Sequence, residues 1–563
     1  MTMAKLPPAR SALVRIVDGV YSALWPREAL LREHARRMLA SNAWPSTSRS
    51  RSNAYRSFVG AGGSPLADND DNLAELREQS RGLVRGNPIA AGAILGKVGP
   101  VIGVGLSPNA APMRKVLGLT DEQAEELSSE METQWRLHAD SLDFSASRDA
   151  NAAELLGRAF QAMLESGDAL LVRRSVQRKG GLFSTCWTLI EGDRLCNPDG
   201  TGDTFGDATH PAIVSGVEFA IGDTDGTPVA YHVCSSHPGD YAARSQTWSR
   251  IPARDADDNQ VVLHLARKAR PGQVRGIPDL APVIEILGQC TKLNEAELQS
   301  AVIGALMAVA VTTKGAEGIA TGVNPSFEST TSTDGHADEK QIPAGAMFDL
   351  DVGEDIKQIE SNRPSPLIEP FLMALYRQIG PALQMPVEVL IKHFQSSYSA
   401  ARAALADFWD YVLRERFWLA CHVCAPWYAA TISEAVARKY LDLPGFFSSP
   451  LRRAAWLNVG AWLGTAQPQL DPLKEVNAAQ ARVDGLFSNR EIEAPSLVGQ
   501  PWETIVEGSA RERAKIRKLG LPTGKQIGES IETESTANRP GAPVAPSHDE
   551  QPGEDDVAEG RRG

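Results

Sequence analysis

Apolar positions along this chain fall into a strand period and a helix period, and the clearest change between them lies at residues 261–311. Val261, Val262, Leu263 and Leu265 form a short apolar run of the kind a buried strand makes. A basic loop follows, with Arg267, Lys268, Arg270 and Arg275 set among Pro271, Gly272, Gly276 and Pro278. Leu280, Val283, Ile284, Leu287, Leu298, Val302, Leu306 and Val309 then recur mostly at steps of three, four, seven or eleven. This pattern predicts one helix over residues 279–311, roughly 50 Å long at 1.5 Å per residue. Such a helix exceeds the usual globular length and suits a shaft better than a pocket. A second shaft-like helix is predicted over residues 366–383, where Leu367, Ile368, Phe371, Leu372, Leu375, Ile379 and Leu383 line one side. Gln384-Met385-Pro386 stops it. A third covers residues 399–424, with Ala401, Leu405, Phe408 and Val412 on one face and Trp409, Phe417 and Trp418 beside it. Such an aromatic stripe belongs to a core or a subunit interface, and Pro426 is expected to interrupt the helix.

The rest of the chain divides by the same signals. Residues 1–72 read as a partly disordered arm rich in Ser, Arg, Asn and Gly. Its Arg49, Arg51 and Arg56 stand open to two readings, a phosphate contact or a solvated linker. A helical stretch over residues 73–95 has a turn at Gly86-Asn87-Pro88, where Gly86 is expected to use φ > 0. Residues 98–106 (VGPVIGVGL) read as a strand. Thr120 is placed to cap a helix to His138. A further helix over residues 150–165 ends at Ser166-Gly167-Asp168 before a strand over residues 169–174. Residues 187–265 are β-rich, with a hairpin at Asp225-Gly226. Residues 312–341 read as a long flexible loop. Residues 344–359 read as a β-segment with a turn at residues 352–355. From Lys525 the composition turns to Glu, Asp, Pro, Gly, Ser and Thr, a disordered acidic tail.

Composition narrows the function classes. The 563 residues leave room for several domains, and 42% hydrophobic and 23% charged residues are ordinary for a globular protein. A net charge of −13 argues against tight gripping of nucleic acid through many phosphate contacts. Six scattered cysteines do not form a disulfide framework. Cys421-His422-Val423-Cys424 has metal or redox spacing but no second pair, so buried small residues on a helix are the plainer reading. GAILGK at residues 92–97 and GLPTGK at residues 520–525 each fall one residue short of a phosphate-cradling loop. The G-x-G at Gly103 and Gly105 lacks its third glycine. His232, His237 and His264 carry no ligand spacing. No catalytic residue, cofactor site or metal site is therefore expected. No apolar run is long enough to span a membrane, and the N-terminal apolar run, broken by Arg15 and Asp18, is not read as a signal peptide.

Several segments in order resemble one family. RPGQVRGIPDLAPVI (residues 270–284), LREQSRGLVRGNPIAAGAI (76–94), Trp135 with Ala139-Asp140 and Asp143-Phe144, ESGDALLVRR (165–174), IEGDRL (190–195), SHPGD (236–240), Tyr398-Ser399 with Ala401-Arg402-Ala403, and DPLKE (471–475) resemble the portal proteins of tailed phages, of the lambda type. Departures are Gly86 for an Asn, Ala400 for a Ser, and an extra Asn489. The resemblance covers roughly residues 73–500.

The resemblance implies an α+β portal fold with wing, stem, clip and crown regions, long stem helices and mixed β segments, built to form rings. The implied layout is a wing-like region at 73–265, stem helices with a clip-like loop at 266–385, and a channel loop at 386–398. A helical wing or crown region at 399–524 completes it, before the tail at 525–563. It further implies a dodecameric ring at one capsid vertex, with double-stranded DNA in its channel. Terminase, major capsid and scaffold proteins, and neck or tail adaptor proteins are the implied partners. The location is the virion, with the host cytoplasm during assembly. Lys392, His393 and Gln395 become channel-loop candidates, though helix capping explains Lys392 and His393 as well. Arg267, Lys268, Arg270 and Arg275 form a basic loop before the stem, and Tyr398, Ser399 and Arg402 carry the family pattern. Another phage head protein, such as a head-tail adaptor or minor capsid protein, is the alternative reading.

Overall fold

A computed structural model describes residues 64–69, 72–206, 209–222, 226–240, 246–306, 309–313, 354–358, 367–394, 397–468 and 471–520. The arm before residue 64, with Arg49, Arg51 and Arg56, lies outside the described residues. So do residues 314–353, Gln395 and the tail after residue 520. The chain separates into two compact units, Met1–Leu470 and Asp471–Gly563.

The first unit opens with α1 (Leu73–Gly86) and α2 (Pro88–Ile102). Asn87 sits between them in an extended conformation, and its side chain accepts from the Ile89 and Ala90 amides. Pro88, whose missing N–H costs nothing at the first helical position, fixes the entry. Gly86 stays helical, so the turn is made by the Asn cap and not by a left-handed glycine. The run 98–106 is also not a strand. Its first half finishes α2, Gly103 and Gly105 take positive φ, and β1 begins at Ser107 (Ser107–Ala110). Apolar runs of this length do not distinguish a buried strand from a buried helix end. Here Arg416 donates to the Val101 and Pro100 carbonyls at 3.0 and 2.8 Å, which satisfies acceptors a helix end leaves open.

α3 (Asp121–Ala139) starts in a capping box between Thr120 and Gln123, and α4 (Ala152–Ser166) in another between Asn151 and Glu154. The β-rich region makes two antiparallel sheets. In the first, β2 (Asp168–Ser175) lies between β3 (Thr185–Glu191) and β8 (Val262–Ala266). The second runs β4 (Ile213–Val214), β5 (Val217–Phe219), β6 (Pro228–Cys234), β7 (Trp248–Pro252) in that order. β5 and β6 pair antiparallel, as the predicted hairpin requires, while Asp225 of its turn lies outside the described residues. Alternation along β2 sends Leu171 into the main core and Leu170 and Val172 into a smaller one with Val217, Tyr231, Val233 and Ile251. The strand is buried on both faces, so it ties the two cores together.

Of the predicted 279–311 shaft, only α5 (Ile284–Leu306) is α-helical, about 35 Å long. A short 3-10 turn at Ala281–Val283 precedes it. Val309, which fits the helical count, and Val311, the end of the predicted span, instead lie in β9 (Val309–Thr313), paired antiparallel with β10 (Glu354–Gln358). Glu354 and Asp355 are therefore in a strand and not a turn. α6 (Ile368–Ala382) matches the second shaft, although Leu367 and Phe371 at its start are exposed while Ile379 and Leu383 at its end are buried.

After α7 (Val387–Leu390), α8 (Tyr398–Leu419) does not stop at Pro426. It passes through one wide π turn (Ala420–Cys424) into α9 (Ala425–Ala437), which places Pro426 at a helix start where it is tolerated. His422 donates to the Trp418 carbonyl at 2.8 Å and stacks on its ring. After α10 (Pro450–Trp456), β11 (Val459–Leu463) pairs antiparallel with β1 and closes the unit.

The second unit holds α11 (Pro472–Asp484), α12 (Arg490–Val498) and α13 (Trp502–Leu519). No helix of the described residues is long and apolar enough to cross a membrane.

Candidate functional site

The best-defined constellation is a buried ionic junction centred on Asp168, the first residue of β2. Asp168 is fully buried. Arg77 from α1 reaches its Oδ1 at 2.6 Å, and Arg275 reaches its Oδ2 at 2.5 Å. His264 on β8 donates to Oδ2 from 3.2 Å. The remaining guanidinium hydrogens find carbonyls: Arg77 donates to Ser166 at 2.7 Å, and Arg275 to Leu195 at 2.7 Å, Ser215 at 2.9 Å and Gly192. Arg81 adds a pair with Asp193. Burial pushes the Asp168 carboxyl toward neutrality, but the Arg275 and Arg77 charges and the hydrogen bonds outweigh it and hold its pKa well below the usual range. For His264, burial outweighs the Asp168 charge and lowers the pKa.

The backbone closes as tightly around this junction. Gly167 takes φ 89°, and a Cβ there would meet the Gly276 carbonyl oxygen at 2.5 Å. A Cβ on Gly276 would meet the Gly167 carbonyl oxygen at 1.9 Å. Next to Gly276, buried Lys97 pairs with Asp279 at 2.6 Å and lies 4.8 Å from the Tyr411 ring. ESGD and VRGIPD, two stretches that carry the family resemblance, are thus halves of one contact. Sequence reasoning missed it. The signal was there, in a lone Asp after Gly167 and a lone Arg before Gly276, but nothing in one sequence pairs residues so far apart.

The basic loop is correspondingly not a free cationic patch. Arg275 is buried in the junction. Arg267 pairs with Glu415 and lies 5.4 Å from the Trp418 ring, and Arg270 pairs with Asp68 at 2.8 Å. Lys268 is exposed. Spacing read these four as one electrostatic feature, whereas folding gives three of them carboxylate partners that cancel their charge.

The 386–398 segment is different. Pro386 starts the one-turn α7, Ile391 follows, and Lys392 takes a left-handed φ of 54°. Lys392, His393 and Phe394 are exposed. The His393 amide donates to the Glu388 carbonyl at 3.0 Å, so the chain bends back on α7. The left-handed Lys392 and the His393 amide thus close the C-terminal end of α7, a capping role, but neither residue caps α8. Ser397 does, accepting from the Ala400 amide at 3.4 Å. Tyr398 opens α8, and Ser399 and Arg402 are exposed on its first turns, the Ser399 hydroxyl 3.1 Å from that of Ser397. Below the segment, the end of α6, Gln384 and the face of α8 with Asp407, Tyr411 and Arg414 enclose an open cleft of about 470 Å³. Gln384 sits there at φ 53°, with Arg414 donating to it at 3.3 Å.

Among the described residues no three His, Cys, Asp or Glu side chains group to hold a metal ion. Cys421 is exposed and Cys424 buried on the π turn, both as free thiols. His138, buried between α3 and α9, has Nδ1 2.9 Å from the Thr431 hydroxyl and donates from Nε2 to the Thr185 carbonyl at 3.0 Å. Burial brings its pKa down to about 4.

Among the described residues, the charges of the junction and most of those of the basic loop are paired, and an exposed segment lies between α7 and α8. The chain matches the family described as "Phage portal protein, lambda family" over residues 51–416 and belongs to it. It is 26% identical over 477 residues to "Portal protein B" of Escherichia phage lambda, covering 80% of this chain and 85% of that one. It is 25% identical over 508 residues to the "Portal protein" of Escherichia phage N15, covering 83% and 92%. Among solved structures it is similar to a chain in the neck of a native GTA particle computed with C12 symmetry, with 16% identity, coverage of 76% and 94%, and a TM-score of 0.35. A chain in the neck of an empty GTA particle computed with C6 symmetry aligns at 17% identity, 70% and 96% coverage, and a TM-score of 0.37.

Proposed function

We propose that this chain forms a dodecameric ring at one capsid vertex, and that double-stranded DNA passes along its axis during packaging and ejection. Terminase docks on the ring during packaging, capsid and scaffold proteins surround it during assembly in the host cytoplasm, and neck or tail adaptor proteins follow. The observation that carries this reading is membership of the lambda portal family over a span that includes both shaft helices and the segment between α7 and α8.

The charge distribution supports the same reading. A channel that lets DNA slide must not hold it by many phosphate contacts, because each strengthens binding and adds salt dependence. The chain carries a net charge of −13, and the basic loop before α5 is largely neutralised by its own carboxylates. Exposed Lys392 and His393, with Gln395 beside them in sequence, form the DNA-facing part of the channel in this reading; Tyr398, Ser399 and Arg402 set the start of the helix behind it.

Electron microscopy of the purified protein tests the ring, where an axial hole is expected and a compact monomer with nucleotide hydrolysis would overturn the reading. Shortening residues 391–397 tests the channel. Rings are expected to form normally while packaging or DNA retention falls. Loss of ring formation in that variant would remove the segment from the channel.

A further inference from the structure

Strand alternation sorts the residues of the second sheet onto two faces. Leu195, Tyr231, Val233 and Ile251 turn toward the smaller core. Their chain neighbours Cys196, His232, Cys234 and Arg250 therefore share the opposite face, together with Trp248. Leu195 forms an antiparallel bridge with Val233, which sets Cys196 opposite His232 and one diagonal step from Cys234. Trp248 stands directly opposite Cys234 on β7, and its indole Nε1 donates to Cys196 Sγ at 3.3 Å. Arg194 fastens the end of β6 by donating to the Cys234 and Ser235 carbonyls at 2.9 and 3.0 Å. The Cys196 and Cys234 thiols hydrogen-bond to each other. Both are free thiols, Cys196 half-buried and Cys234 fully buried.

A regular ladder puts diagonal α-carbons about 7–8 Å apart, whereas a disulfide spans about 4.4–6.8 Å. Closure therefore needs a small approach of one strand, and the Cys196 side can make it. The Cys196 amide donates to the His232 carbonyl at 3.3 Å, but the His232 amide goes to the Gly216 carbonyl at 2.8 Å. Cys196 is thus not held to His232 by the reciprocal pair of a regular ladder. Burial pushes the Cys196 thiol up, against the Trp248 N–H, and the neighbouring Cys234 thiol adds to the rise. Attack by this sulfur is accordingly slow near neutral pH and faster in mild alkali.

We propose that Cys196 and Cys234 are a modification site that closes into one intramolecular disulfide on meeting a low-molecular-weight disulfide. The half-buried Cys196, as thiolate, attacks one sulfur of the reagent and expels the other half as a thiolate, which leaves a mixed disulfide on Cys196. Cys234, as thiolate, then attacks the Cys196 sulfur and expels the second half. Two protein S–H bonds and the S–S bond of the reagent are exchanged for one protein S–S bond and two reagent thiols. The departing thiolates take up the two protons, and the protein loses two electrons to the reagent. The bond closes residues 197–233, which include β4, β5 and most of β6, into a loop that stays tethered when the sheet opens. Thiols stay reduced in a cytoplasm and oxidise outside it, so in a virion protein this clamp is set after assembly.

Peptide mapping of the full-length protein tests it. The folded chain is incubated with excess oxidised glutathione at about pH 8, its remaining thiols are alkylated in denaturant, and the digest is read by mass spectrometry. A peptide pair joined through Cys196 and Cys234 is expected, and dithiothreitol should separate it. Amide exchange in β5 and β6 is expected to slow by about tenfold or more in the oxidised protein. Cys196→Ser should abolish both the joined peptide and the slower exchange. Glutathione retained on Cys196 beside an alkylated Cys234 would mean that the second attack cannot reach, and overturns the proposal. Alkylation of both cysteines, or a bond from either one to a different cysteine, overturns it as well. A joined peptide without slower exchange overturns the clamp. The ring and channel reading above does not depend on any of these outcomes.

Discussion

Two stretches that carry family motifs behave in opposite ways. Around Asp168, the motif residues Gly167, Arg275, Gly276 and Asp279 are packed against one another, with every charge answered inside the molecule. Around residue 398, Lys392, His393, Ser399 and Arg402 face outward on a bent segment and the first turns of a helix. A motif can persist because it holds the fold or because it presents chemistry, and residue identity does not say which. Arg275 and Lys392 are both cations in loops next to helices. One is a structural pin and the other is surface.

This contrast is sharpest in Asp168→Ala. Removing the carboxylate leaves Arg77 and Arg275 buried with uncompensated charge, and a loss of about 3–5 kcal/mol is expected. Denaturant unfolding checks it. A loss under about 1 kcal/mol would mean that water reaches the junction and that the two stretches are not so different.

A second buried polar group extends the comparison to pH. His138 stays neutral in the fold, with a pKa of about 4 against 6.5 for the ordinary side chain, while Glu434, Asp143 and Arg178 act on it from around the same site. Between those values the unfolded chain holds a proton that the native chain does not, so stability falls as pH drops from about 6.5 to about 4. The full effect is about 3 kcal/mol. A His138→Gln variant is expected to flatten that part of the stability-against-pH curve. An unchanged slope would show that another group titrates there.

Gly276→Ala asks whether the backbone contact matters apart from the charges. Its Cβ would fall 1.9 Å from the Gly167 carbonyl oxygen, and a loss of about 1–3 kcal/mol in thermal or denaturant unfolding is expected. Wild-type stability in this variant would mean that the two strands of chain part easily. On the exposed side, Lys392→Ala with His393→Ala is expected to stay within about 0.5 kcal/mol of wild type, while DNA retention falls. Reversal of that pattern, with lost stability and normal retention, would place the segment with the junction.

Much of the helical layout was legible in sequence because capping and periodicity are local. Thr120 announced α3, and the spacing from Leu367 to Leu383 announced α6. The misreadings came where local signals are degenerate. VGPVI fits a strand run yet ends α2, Val309 fits a helical count yet lies in β9, and Pro426 looks like a stop but stands in the first turn of α9 after a π turn. In each case hydrogen bonding and partners distant in sequence settled the outcome.

By itself the sequence determined the mixed α+β composition, most of the helix starts, the one-residue shortfall of GAILGK and GLPTGK from a phosphate-loop motif, and a set of collinear motifs pointing to one family. Tertiary structure decided what those motif residues do. The reason is range: a helix cap is made within four residues, whereas Asp168 meets Arg77 and Arg275 across separations of 91 and 107 residues. Whether a cation is spent on a buried carboxylate or left to meet a partner depends on that pairing, which only the folded chain makes.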